Sequence, residues 1–274
     1  MSIGIIGAGR AGASLAVALQ HANYDVFVHS RERKTLPASF ALTSGNRIPW
    51  LGKVDVVILA VPDAKIPDLA DRLAATAQLN ERQVVLHLSG ALDEEALTAL
   101  GSSGAALGSF HPFQTLTDAA WGPERLRGAL AAVQGMPRAV TVAMQIAESL
   151  GMHPIRIDAD QKARYHAAAV FSANYPIVIA HLAERLLQDA GVEWPDARRA
   201  VVRIMQGTVA NLTEQGSVAG LTGPVSRGDA ETVARHLDAL PDDIVEVYRS
   251  LARVAMDVAG LDGEVRERME RVLG

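Results

Sequence analysis

The chain has 274 residues, 49% of them hydrophobic, a formal net charge of −5 and no cysteine. That length and apolar content can bury a large core in one or two domains. The acidic balance argues against a nucleic-acid partner, and the lack of cysteine excludes disulfides, thiolate metal sites and a cysteine nucleophile.

No basic n-region or cleavage site precedes the first apolar segment, which reads as a cytoplasmic protein. Ile3-Gly4-Ile5-Ile6 is a predicted strand, Gly7-Ala8-Gly9-Arg10-Ala11-Gly12 a Gly-x-Gly-x-x-Gly turn, and 14–19 the following helix. A second strand over 24–29 completes a βαβ unit, the context in which this motif binds a dinucleotide. Gly7 permits the tight turn, Gly9 lets backbone approach a pyrophosphate, Gly12 lets the helix pack on the strand, and Arg10 and Ala11 open the helix whose N-terminus faces the phosphates. An NAD-binding chain usually ends the second strand on a carboxylate for the ribose 2′-OH. Here Ser30-Arg31-Glu32-Arg33-Lys34 stands there. Ser30, Arg31 and Arg33 suit a 2′-phosphate, so the expected cofactor is NADP, against the plainer reading of a solvated basic loop.

Strands are predicted over 54–62, 83–90 and 105–112, with a helix over 66–77 and a segment from Arg138 whose helical part leads to Gly151. A last short strand spans 154–158. Ligands of such sheets lie at the carboxyl ends of the strands, where Val61, Pro62, Ser89, Gly90 and His111 fall. The expected fold is therefore α/β, a doubly wound Rossmann sheet over residues 1–158 followed by an all-α domain over 159–274.

Residues 161–190 read as one long apolar helix kinked at Pro176. Lys162, Arg164, His166, Asn174, His181 and Glu184 interrupt it, so burial between domains or subunits is favoured over a membrane span. At about 100° per residue, His166, Asn174 and His181 fall within roughly 80°, with Lys162 about 40° to the other side. Such a polar stripe reads as the wall of a wet cleft between the domains, although each residue alone is commonly a satisfied core group. Further helices are expected over 196–215, 229–239 and 242–259 and from Asp262, with Asp229 an N-cap. No metal-ligand spacing occurs among the histidines.

Gly7-Ala8-Gly9-Arg10-Ala11-Gly12, Ala60-Val61-Pro62-Asp63, Leu88-Ser89-Gly90-Ala91-Leu92, Ser109-Phe110-His111-Pro112-Phe113-Gln114, Tyr165-His166 with Ser172-Ala173-Asn174-Tyr175, and Thr222-Gly223-Pro224-Val225-Ser226-Arg227-Gly228-Asp229 together resemble a bacterial family of NADP oxidoreductases. Its second domain is labelled as of unknown function. More distantly the chain is similar to ketopantoate reductase, pyrroline-5-carboxylate reductase and the β-hydroxyacid dehydrogenases. In ketopantoate reductase and the dehydrogenases a Lys on the first helix after the Rossmann domain donates a proton beside an Asn. The resemblance places His166 at the Lys position and Asn174 at an Asn position, with Val170 at the intermediate one and Lys162 as the other candidate for the Lys.

The resemblance implies an NADPH-dependent reductase of a small carbonyl compound, with a 2-oxo acid of the ketopantoate type leading and a pyrroline-5-carboxylate-type imine as the alternative. In a different class stands a non-catalytic NADP-binding sensor. His166 is the expected proton donor, since an imidazole with an ordinary pKa near 6.5 can protonate a developing alkoxide. Asn174 would orient the substrate oxygen, Ser89 would lie beside the nicotinamide, and His111 would be a second acid, an anion clamp or a backbone-bonded strand end. Arg227, Thr222 and His181 are candidate substrate ligands, Arg227 as a carboxylate clamp. A small-molecule substrate and a homodimer are the expected partners.

Overall fold

The computed structural model describes residues 1–32 and 40–274. Arg33 and Lys34 of the expected phosphate loop lie outside the described residues. The chain forms two compact units, Met1–Asn174 and Tyr175–Gly274.

The first unit is built on an eight-stranded sheet of order β3-β2-β1-β4-β5-β6-β7-β8. The strands are β1 (Ser2–Ile6), β2 (Asp25–Ser30), β3 (Ala41–Ser44), β4 (Val56–Leu59), β5 (Val84–His87), β6 (Ala106–Pro112), β7 (Leu130–Gly135) and β8 (His153–Arg156). All neighbours pair in parallel except β6 and β7. Helices α1 (Arg10–His21), α2 (Ile66–Ala74), α3 (Gly122–Leu126) and α4 (Pro137–Ser149) belong to this unit. Both faces of the sheet are covered, which is why its strands read as unbroken apolar runs. Val56 and Ile58 join one core with Leu15, Leu19 and Ile146, whereas the alternate Val57 and Leu59 join a second with Ile66, Leu69 and Leu97. Strand order reverses direction between β1 and β4, the point where open α/β sheets bind ligands.

Two strands were not expected. β3 is a four-residue edge strand, too short for its alternation to register. β7 is rich in alanine, and it enters antiparallel to β6. The segment from Arg138 is helical throughout within α4, and the strand precedes it.

The first helix after the sheet, α5 (Lys162–Ala173), belongs to the first unit. The expected single helix over 161–190 is two: α5 stops at Asn174, and α6 (Tyr175–Asp189) opens the second unit. Pro176 explains the break, because it offers no amide hydrogen to the Ser172 carbonyl. The second unit continues with α7 (Trp194–Gly220), α8 (Ala230–Ala239), α9 (Asp242–Ala259) and α10 (Gly263–Leu273). α7 runs past the expected end at Gln215 and is broken at Gly216, whose φ is 75°. Asp229 caps α8 as expected, its carboxylate accepting from the Thr232 amide at 3.1 Å. Val233, Met256, Met269 and Leu273 form this unit's core. Among the described residues no helix is long and apolar enough to cross a membrane.

Candidate active site

The glycine turn is built as its residue types require. Gly7 has a φ of 116°, and a Cβ there would run into the Ala60 carbonyl. Gly12 lies against the Gly7 carbonyl, while Gly9, the N-cap of α1, faces open space. No side chain caps α1 and no acid sits in its first turn, so the amides at Arg10, Ala11 and Gly12 are left for an anion. This open cradle fits a dinucleotide pyrophosphate. Ser30 is buried at the end of β2, Arg31 is exposed beyond it, and Val61 and Pro62 follow β4.

One and two strands farther along, about 5 and 10 Å by ordinary strand spacing, the ends of β5 and β6 meet α5. Three α5 residues at i, i+3 and i+4 share the face turned to the sheet: Lys162, Tyr165 and His166. Lys162 is 1% exposed, and its ammonium donates to Ser109 Oγ at 2.8 Å and to the Ser89 carbonyl at 3.4 Å. It has no ion pair among the described residues, and burial pushes its pKa down to about 8, against the pull of Asp93, Glu94 and Asp63. Ser89 Oγ donates to Asp63 Oδ2 at 2.7 Å and accepts from the amides of Ala91 and Leu92. The Ser89 loop is thus shaped by its own hydroxyl and pinned from above by Lys162.

Two imidazoles converge over Gly90. A Cβ on Gly90 would lie 2.6 Å from His166 Nδ1 and 2.8 Å from His111 Nε2, so only glycine fits. The rings stand edge to face with centroids 5.7 Å apart. Tyr165 OH donates to the His111 carbonyl at 3.2 Å, and His111 Nδ1 bonds the same hydroxyl at 3.0 Å. With the phenol's one proton on the carbonyl, Nδ1 is the donor and Nε2 holds a lone pair beside Gly90. Burial, followed by the charges of His166 and Lys162, pushes His111 down to about 4. It is therefore neutral near pH 7, with Nε2 as an acceptor. His166 Nδ1 is buried without a hydrogen-bond partner among the described residues. Beneath them His87 accepts from the Ser89 amide and bonds the Asp93 carbonyl at 2.8 Å, and burial lowers it too to about 4.

The structure brings Ser89, His111 and His166 together, and adds Lys162, Tyr165, Ser109 and Asp63. Asn174 is not among them: it is exposed at the break after α5, about 12 Å along the axis from His166. The helical wheel that grouped it with His181 assumed one continuous helix. His181, Thr222 and Arg227 are exposed residues of the second unit. Of the added residues, Lys162 carried a signal as a lysine on an apolar helix, while Asp63, Ser109 and Tyr165 stood within the resemblance motifs without an assigned role.

Residues 1–112 match the model of a Rossmann-like domain, and residues 129–255 match that of a domain of unknown function, DUF2520. The chain joins a Rossmann-like domain to a DUF2520 domain. Among solved structures it is similar to protein TM1727 from Thermotoga maritima, at 23% identity and a TM-score of 0.73 over 94% of this chain and 98% of that one. The imine reductase from Myxococcus stipitatus in complex with NADP+ matches at 17% identity and a TM-score of 0.66, covering 100% of both chains. The Plasmodium falciparum pyrroline carboxylate reductase with NADP bound matches at 13% identity and a TM-score of 0.62, over 100% of this chain and 97% of that one. At these identities the likeness is one of fold. No curated protein matches the sequence.

Proposed function

We propose that the chain is an NADPH-dependent reductase of a small carbonyl or imine compound, with a 2-oxo acid of the ketopantoate type as the leading substrate. The observation that carries this reading is the convergence of His111 Nε2 and His166 Nδ1 over Gly90, beside the buried Lys162, in the same row of strand ends as an open dinucleotide cradle. NADPH bound there would supply a hydride to the substrate carbon. The α1 amides would hold the pyrophosphate, Ser30 and Arg31 the 2′-phosphate, and Val61, Pro62 and Ser89 would border the nicotinamide. His166, whose Nδ1 has no hydrogen-bond partner among the described residues, is the proton donor to the substrate heteroatom. Lys162 is a positioning residue that ties the Ser89 loop to α5, and its charge favours the neutral state of His111.

One observation favours the imine alternative. A neutral His111 with Nε2 as acceptor complements an iminium N–H, which a carbonyl oxygen lacks. Assaying NADPH oxidation by the purified chain against a panel of 2-oxo acids and cyclic imines tests both. Turnover on one class, abolished in His166→Ala, supports the reading; no turnover on either speaks for a cofactor-binding protein without catalysis.

A homodimer is part of the same proposal. Every residue of α7 from Gln206 to Ala219 is exposed in the single chain, including Val209 (62%), Leu212 (54%) and Val218 (67%). A helix with no packed face is not stable in water on its own. A second copy of the chain would bury it together with Ile177 and Ile204, which are similarly exposed.

A further inference from the structure

A cavity of about 200 Å³ opens beside Gly7, between α2 and the segment following β3. Its lining includes an apolar wall of Ile48, Leu51 and Leu69 together with the exposed Arg31, Arg47 and Arg72. No carboxylate lines it among the described residues. The three arginines are exposed, and none makes an ion pair or a side-chain hydrogen bond with a described residue. Three guanidiniums around one cavity, uncompensated among the described residues, are unusual in a chain of net charge −5, because like charges repel unless an anion joins them. His29, in the floor, is not a fourth ligand: its ring nitrogens are committed to Thr43 Oγ at 2.9 Å and the Gly45 carbonyl at 3.1 Å, which brace the turn that presents Arg47.

We infer that Arg47 and Arg72 determine cofactor specificity by closing, with Arg31, on the 2′-phosphate of NADP, while the apolar wall takes the adenine. The inference rests on the NADP reading above and extends it to two residues outside the βαβ unit. Arg72 comes from α2 and Arg47 from the β3–β4 connection, so the phosphate is held from three elements. A guanidinium is suited to this because its planar fork pairs bidentately with a phosphate.

The test is titration calorimetry of the full chain with NADPH, NADH and inorganic phosphate, using wild type, Arg47→Ala, Arg72→Ala and the charge-preserving Arg72→Lys. The wild type should prefer NADPH. Each alanine variant should lose about tenfold or more in NADPH affinity and less than about twofold in NADH affinity, and Arg72→Lys should recover part of the loss. Both positions are exposed and unpaired among the described residues, so unfolding midpoints should match wild type. A preference that survives both alanine substitutions, or falls equally for the two cofactors, overturns the inference and leaves the NADP reading standing. Equal binding of NADPH and NADH by wild type overturns the NADP reading itself. Phosphate that still binds at saturating NADPH, and stops doing so in both variants, would assign the cavity to a separate anion and also overturns it.

Discussion

Lys162 sits in the sheet unit as an ammonium held by a hydroxyl and a carbonyl, with carboxylates near but none in contact. Below about pH 8 it is charged in both the folded and unfolded chain and the cost of burying the charge is present in full; as pH rises from about 8 towards 10.5 the folded chain gives up the proton first and that cost fades. Lys162→Met, which keeps the length and removes the charge, should therefore raise stability at pH 7 by on the order of 1–3 kcal/mol. It should also lower turnover, because the Ser89 loop loses its anchor. Chemical denaturation of the variant decides this: a loss of stability would show that the hydrogen bonds outweigh the desolvation. His87 and His111 carry the acid side. Both are lowered from 6.5 to about 4, so the unfolded chain binds more protons between those values, and stability should fall as pH drops through that window. Unfolding midpoints measured from pH 7 to 4 should show the decline, with a shallower slope in His87→Asn. His166→Ala should leave NADPH affinity unchanged and reduce turnover about 10²–10⁴-fold, the range of a positioned general acid; equal losses in both would make it a packing residue.

At the scale of elements, α5 is held on the sheet through Lys162, Tyr165 and His166, and the seat of the last is Gly90. Gly90→Ala would drive a methyl group into both imidazoles. It should cut turnover far more than NADPH binding, since the cradle at α1 is two strands away; retained turnover would mean that α5 shifts without consequence. What could be read in the sequence followed the range of the physics. The glycine turn was legible because backbone sterics at Gly7 and Gly12 are local. The Asp229 cap was legible for the same reason. The union of His111 with Tyr165, and of Lys162 with Ser109, joins residues 54 and 53 positions apart, and no periodicity encodes such pairings. The helical wheel found Lys162 and His166 but carried the count past Asn174 to His181, across the break between α5 and α6. Arg47 and Arg72 escaped notice because no motif links them to the glycine turn.

For the whole molecule, the exposed length of α7 predicts that the chain sediments as a dimer at micromolar concentration, and that Leu212→Glu with Val209→Glu shifts it to monomer or to aggregation. A monomeric wild type would leave that apolar helix unexplained. The central claim is that reduction occurs where Ser89, His111 and His166 meet at the ends of β5 and β6. A crystal structure of the chain with NADP tests it most directly. The account predicts the nicotinamide C4 facing His111 Nε2 and His166 Nδ1 with room for one small substrate between, whereas a C4 more than about 12 Å from both imidazoles would contradict it.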